Sequence, residues 1–333
     1  MKKFNGILCS NCSSYLEFKS NELICCSECE SQYKVIGNVV NMNIDSYHDN
    51  FGYQWNIHSK TQLDSHNGSN ESESRLLNQS KLTRKDFVGK RILEIGSGNG
   101  RFTEILLKYG AKVVSCDYSS AIYANYDNNN CSSAIFLRAN LFNINIEPDY
   151  FDMVICYGVI QHTGNNQNAI EKLYSLPIKK NGLLLMDIYS NSIRHFNPFI
   201  YVIRFFVSFH SGTIEDKYNL ITRFINLVFP SQLWLLKQTR KWSLLGRIIE
   251  LVINRSPNSV YGINLYLDQK ISIDIAKSWS ILDTFDAWFP KHDNPVSFKT
   301  WNKLNFLFSK KYNFSVNYIG TSGQGNIVVS SKN

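Results

Sequence analysis

Ile92-Leu93-Glu94-Ile95-Gly96-Ser97-Gly98-Asn99-Gly100-Arg101-Phe102 is an apolar run that breaks into three glycines at alternate positions and then opens a helical pattern. A strand, a tight turn and a helix N-terminus are expected in that order. Glycines let backbone approach a ligand closely, and the start of a helix favours a negative group. Twenty-one residues after Gly96, the next apolar strand ends in Asp117, and an acid at about that distance can hold ribose hydroxyls. The bland alternative is a turn that serves only tight packing. Working outward, buried strands alternate with helices: Arg91 to Ile95, helix Phe102 to Lys108, Lys112 to Cys116, Ala134 to Leu137, Met153 to Cys156, helix Asn168 to Tyr174, Leu183 to Ile188. This alternation means a parallel sheet covered by helices, an α/β fold. A helix near Phe298 to Ser309 and a hairpin, Phe314 to Ile319 with Asn326 to Ser330, should close the sheet antiparallel. A dinucleotide fingerprint would read G-x-G-x-x-G, whereas this one reads G-x-G-x-G with Arg101 sixth, so NAD is disfavoured.

The stretch resembles the first motif of class I S-adenosylmethionine-dependent methyltransferases, Glu/Asp-x-Gly-x-Gly-x-Gly, and the likeness runs on for about 100 residues. Val114 to Ser119 resembles the second motif, Ala139-Asn140-Leu141 the adenine-side segment, Phe151 to His162 the fourth strand, and Asn181 to Met186 the fifth. The resemblance implies a Rossmann-like seven-stranded sheet. It implies S-adenosylmethionine as cofactor, with Glu94, Gly96, Ser97, Gly98 and Gly100 at the methionine end, Asp117 on the ribose, Tyr118, Asn140 and Leu141 at the adenine, and Tyr157 beside them. Asn140 stands where the family often has Asp, although its carbonyl can still accept from an amine.

Five of the eight cysteines fall between residues 9 and 29. Cys9-x-x-Cys12 and Cys26-x-x-Cys29, thirteen residues apart, can place four thiolates tetrahedrally on one structural Zn²⁺, with no coordination position left for catalysis. The segment Ile7 to Met42 also resembles the short Trm112-like zinc-binding modules, with Ser10, Lys34 and Asn38-Val39 departing from that pattern. Cys25 is a spare thiol, and Cys116, Cys131 and Cys156 read as packed residues.

Ligands of open α/β sheets bind beyond the carboxyl ends of the strands. Tyr157, Gln161, His162 and Asp187 to Tyr189 should therefore face the acceptor. His162 is a general base for an acceptor hydroxyl or else a residue that orders its loop. Phe51 to Trp55 and Leu282 to Pro290 resemble stretches of bacterial methyltransferases, and their aromatics serve either core packing or substrate contact. Four zones follow: a zinc ribbon at 1–42, a connector at 43–88 with helices near Phe51 to Leu63 and Glu71 to Leu82, the methyltransferase domain at 89–191 with 279–333, and a helical insertion at 192–278. The insertion carries Arg204, Arg223, Lys237, Arg240, Lys241 and Arg247 with Phe205, Phe206, Trp234 and Trp242. We expect it to act as an acceptor lid, and apolar, cationic helices can also rest peripherally on anionic membranes.

A chain of 333 residues, 44% hydrophobic and 19% charged, excludes a peptide hormone or wholesale disorder. The net charge of +8 sits mostly in residues 194–260, which hold nine Lys/Arg and three Asp/Glu. No run of 18 apolar residues and no secretory pattern appears, so a cytoplasmic location is expected. The leading reading is methyl transfer to oxygen on a small-molecule, glycan or lipid-linked acceptor, as in surface-polysaccharide biosynthesis. One alternative is an RNA methyltransferase that uses the ribbon and the basic insert; another is a non-catalytic cofactor-binding scaffold.

Overall fold

A computed structural model of the chain describes residues 3–42, 50–192, 197–209, 211–241, 244–323 and 325–333. It divides into two compact units, Met1–Gly52 with Ser72–His195 and His292–Asn333, and Tyr53–Glu71 with Phe196–Lys291. In chain order the ribbon supplies β1 (Lys3–Leu8), β2 (Tyr15–Ser20), β3 (Leu23–Cys26), β4 (Gln32–Ile36) and β5 (Val39–Asn41). The connector supplies α1 (Asn50–Ile57), α2 (Asp64–Asn67) and α3 (Glu71–Ser80). Then follow β6 (Arg91–Ile95), α4 (Arg101–Lys108), β7 (Lys112–Asp117), α5 (Ala121–Asn129), β8 (Ala134–Arg138), β9 (Asn145–Ile146), β10 (Met153–Cys156), α6 (Asn166–Ser175) and β11 (Leu183–Tyr189). The insertion holds α7 (Pro198–Ser208), α8 (Ile214–Thr239), α9 (Leu244–Ile253), α10 (Tyr261–Leu267) and α11 (Ile273–Trp288). The chain closes with α12 (Phe298–Lys311), β12 (Phe314–Ser322) and β13 (Gly325–Lys332).

In the first unit the strands run β12-β13-β11-β10-β6-β7-β8-β5-β4-β3-β2-β1-β9 across one sheet. The first seven of these make the expected α/β sheet, parallel from β11 to β8, with β13 antiparallel to β11 and β12 to β13. β10 is buried at every position, as a strand covered on both faces must be. The chain leaves β6 for β7 on one side and later returns to β10 on the other. The ends of β6 and β10 therefore form the switch point, the place at which open α/β sheets bind ligands.

Seven strands were expected and thirteen form the sheet, because the ribbon does not stand apart. β5 pairs in parallel with β8, Val40 opposite Leu137 and Asn41 opposite Arg138, and the Met42 N–H donates to the Arg138 carbonyl at 2.9 Å. β9 pairs with β1 at the far edge. Phe4, Ile7, Leu16, Ile24 and Tyr33 share a single apolar core with Leu93, Leu137, Ile146 and Val154.

The second unit is helical, with its own core of Ile221, Ile225, Phe229 and Leu236 from α8 against Trp279, Phe285 and Trp288 from α11. Thr213 and Asp216 form a capping box at the start of α8. The boundary expected at 278/279 falls inside α11, whose buried face packs in this unit. Residues 53–71 of the connector also belong here: Gln54 Nε2 donates to Asp286 Oδ1, and buried His58 meets the Tyr218 hydroxyl at 2.9 Å. Burial pushes the His58 imidazole down to about 4. The helix expected from Phe51 to Leu63 stops at Ile57, after which the chain turns before α2. Two expected acceptor cations are held within the unit. Arg204 Nε donates to the Ala287 carbonyl at 2.6 Å, and Arg240 pairs with Asp268 at 2.8 Å. Trp242 lies outside the described residues. Among the described residues no helix is long and apolar enough to cross a membrane.

Candidate functional site

The chain leaves β6 through Gly96, Gly98 and Gly100, all with positive φ (76°, 55° and 89°). Two of the three are also sterically required. A Cβ on Gly96 would lie 2.0 Å from Val159 Cγ2, and one on Gly100 would lie 2.1 Å from Asn125 Oδ1. The Gly98 N–H donates to Asp117 Oδ2 at 2.7 Å, and the Ser119 N–H donates to Asp117 Oδ1 at 2.8 Å. An ionised carboxylate has about four acceptor positions, and these two backbone donors each engage one of its oxygens.

Glu94 is buried within β6. Its Oε2 accepts from Thr103 Oγ1 at 2.5 Å, while Oε1 is buried without a partner. Behind it stands a network that no local sequence pattern singled out. Thr103 meets Ser115 at 3.2 Å, Asn125 Nδ2 donates to Ser115 at 2.7 Å, and Asn129 Nδ2 donates to Asn125 Oδ1 and to the Gly100 carbonyl. The run of asparagines ending α5 was its only visible trace. Burial, with Asp117 adding to it, pushes the Glu94 carboxyl up to about 8 from its ordinary 4.5.

This shift sets a pH dependence. Between pH 4.5 and 8 the folded state retains the Glu94 proton and the unfolded chain does not, so stability is greatest below that window and is lost as pH rises through it, by an amount on the order of a few kcal/mol. Glu94→Gln stays neutral and should flatten that fall. Melting temperatures at pH 5 and pH 8 check it; equal slopes in both proteins would remove Glu94 as the cause.

At the end of β10, Tyr157 is buried, edge-on to Phe102 with ring centroids 5.7 Å apart, and its hydroxyl has no partner. Burial holds its phenol well above the ordinary range, with Asp187 adding to the shift. Both polar atoms of the Gln161 side chain are likewise buried and unpartnered. His162 Nδ1 lies 2.8 Å from the His292 carbonyl, and its ring meets Tyr189 edge-on at 5.8 Å. A carbonyl only accepts, so Nδ1 is the donor in this contact. Asp187, on β11, accepts from the Gly158 N–H at 2.5 Å and from Arg75 at 2.8 Å. Arg75 sits among polar residues of α3, and nothing in its local pattern marked it.

Beyond β8, Leu141 is buried at the start of a short helical turn, and Tyr118 follows Asp117 with its carbonyl facing Arg138 Nε at 3.4 Å. Asn140 caps that turn, its Oδ1 accepting from the Phe142 N–H at 3.0 Å. The carbonyl suggested for an amine is therefore already engaged as a cap.

In the ribbon, Cys9 Sγ and Cys29 Sγ lie 3.5 Å apart and Cys12 Sγ and Cys26 Sγ 3.4 Å, with all four sulfurs within 4.8 Å of one another. Tetrahedral zinc–thiolate bonds of about 2.3 Å put sulfurs about 3.8 Å apart, so the four fit one zinc ion. Cys25 is buried on β3 and stands outside the cluster.

Residues 93–186 match the family model described as "Methyltransferase domain". These residues are a methyltransferase domain. They span both the glycine turn and β10. Over 118 residues the chain is 28% identical to a ubiquinone biosynthesis O-methyltransferase of Coxiella burnetii, covering 34% of this chain and 49% of that protein. A mitochondrial ubiquinone biosynthesis O-methyltransferase of Schizosaccharomyces pombe is 29% identical over 136 residues, 36% of this chain and 49% of that one. The chain thus spans about half the length of the curated relatives it matches. Among solved structures, a complex of the Haloferax volcanii Trm112 methyltransferase activator with a methyltransferase aligns with a TM-score of 0.46 at 9% identity, over 86% of this chain and 99% of that one.

Proposed function

We propose that the first unit binds S-adenosylmethionine along the carboxyl ends of β6, β7 and β8, and that the protein passes its methyl group to a hydroxyl oxygen of a small-molecule or glycan acceptor. The observation that carries this is a set of buried polar atoms without partners, Glu94 Oε1, Ser97 Oγ and Tyr157 OH, gathered where β6 and β10 end. Buried polar groups are nearly always paired, so a ligand of matching polarity accounts for them. Glu94 would meet the cationic methionine end, Asp117 would accept the ribose hydroxyls, and Tyr118, Asn140 and Leu141 would border the adenine. When bound, the cofactor would supply an electrophilic methyl group on a sulfonium, whose sulfur leaves as a neutral thioether.

The rest is alignment and one proton. His162, held by the His292 carbonyl and the Tyr189 ring, offers Nε2 to the acceptor hydroxyl, so the proton goes to the imidazole as the oxygen gains the methyl group. Oxygen is favoured as the atom because the matched relatives are named O-methyltransferases. Zinc on Cys9, Cys12, Cys26 and Cys29 has a structural role in this scheme, since four thiolates close its shell.

The test offers labelled S-adenosylmethionine with phenolic, sugar and lipid-linked hydroxyl acceptors, and with ribosomal and transfer RNA beside them. Transfer to one hydroxyl class is expected, with His162→Gln lowering kcat by about 10²- to 10⁴-fold while the KM for S-adenosylmethionine stays put. Label appearing on RNA alone would replace the acceptor class. Calorimetry that detects no binding of S-adenosylmethionine would end the reading.

A further inference from the structure

Helix α7 inverts the usual surface pattern. It has no fully buried residue, and its one charged side chain, Arg204, points inward to the Ala287 carbonyl. Phe199, Val202, Phe205, Phe206 and Phe209 face outward; Phe206 and Phe209 are 65% and 72% exposed. A helix apolar on all sides is normally buried, so this face lacks a partner. Helix α9 adds Ile248, Leu251 and Val252, spaced to share one face and all more than half exposed, with Arg247 and Arg255 exposed at either end of that face. The Asn197 side chain donates to the Ser256 carbonyl at 2.9 Å, tying the start of α7 to the chain just beyond α9. Among the described residues of α7 and α9, no acid is exposed.

We propose that the outward faces of α7 and α9 dock on an anionic phospholipid bilayer, the phenylalanines entering the acyl boundary and Arg247 and Arg255 meeting lipid phosphates. Charge decides between this and a second copy of the chain. Two copies related by a twofold axis would bring a face whose fully exposed charges are arginines against itself, whereas anionic headgroups neutralise it.

The full-length protein is sedimented with sucrose-loaded vesicles of phosphatidylcholine, with and without one quarter phosphatidylglycerol, in 0.1 M salt. Binding to the anionic vesicles is expected. Arg247→Ser with Arg255→Ser should weaken it about 30-fold, and Phe205→Ser with Phe206→Ser more than hundredfold. Both phenylalanines are largely exposed, so the melting temperature should not move. Absence of binding, or binding indifferent to the phenylalanine pair, overturns the proposal. So does a dimer by light scattering that those two substitutions dissociate, which would make a second copy the occupant. Vesicle binding needs no S-adenosylmethionine, so its failure would leave the methyl-transfer reading intact.

Discussion

Asp117→Ala is expected to weaken S-adenosylmethionine binding by a hundredfold or more while the protein stays folded. Each hydrogen bond from a ribose hydroxyl to a carboxylate is worth about 1.5–3 kcal/mol, and two are lost together. The structure adds a second loss. Asp117 also holds the Gly98 N–H and the Ser119 N–H, so its removal frees the glycine turn as well as the ribose. Asp117→Asn should keep the Gly98 donor through its carbonyl and lose less. Calorimetry on the three proteins decides the matter: equal affinities would place the cofactor elsewhere, and an equal loss in both variants would show that only the charge counts.

Stripping the metal from the ribbon should be more damaging than a separable zinc module would suggest. Cys12→Ser with Cys29→Ser should lower bound zinc from one per chain to none, by metal analysis. Because the ribbon sidechains Phe4, Ile7, Leu16, Ile24 and Tyr33 are buried in the same core as Leu137 and Ile146, losing the ribbon exposes apolar surface worth about 1.5–3 kcal/mol per large side chain. That rivals the roughly 5–15 kcal/mol of a whole domain. A large fall in melting temperature is expected. Weaker S-adenosylmethionine binding is expected with it, since β5 braces β8 and Asn140 and Leu141 follow β8 directly. A zinc-free variant that melts and binds like the parent would show that these strands hold without metal.

The sequence by itself determined the strand-turn-helix of the cofactor edge, the acid at the end of β7, and the four thiolates. Each is a local pattern: apolar runs set strands, glycines set positive φ, and paired Cys-x-x-Cys knuckles need only a hairpin between them. The single continuous sheet was not legible. Which strand edge β5 would join depends on a pairing between segments about 97 residues apart, and hydrogen bonding along a strand edge carries no signature in either partner alone. The same limit hid Arg75 beside Asp187 and the Thr103, Ser115 and Asn125 network behind Glu94, since both are contacts between elements distant in the chain. Nor could it show that α11, which spans the 278/279 boundary, takes its partners from α8 and α10. Local chemistry wrote the site's residue types into the sequence; which of them are buried, which are paired and which are left to a ligand was decided only when distant strands and helices packed together.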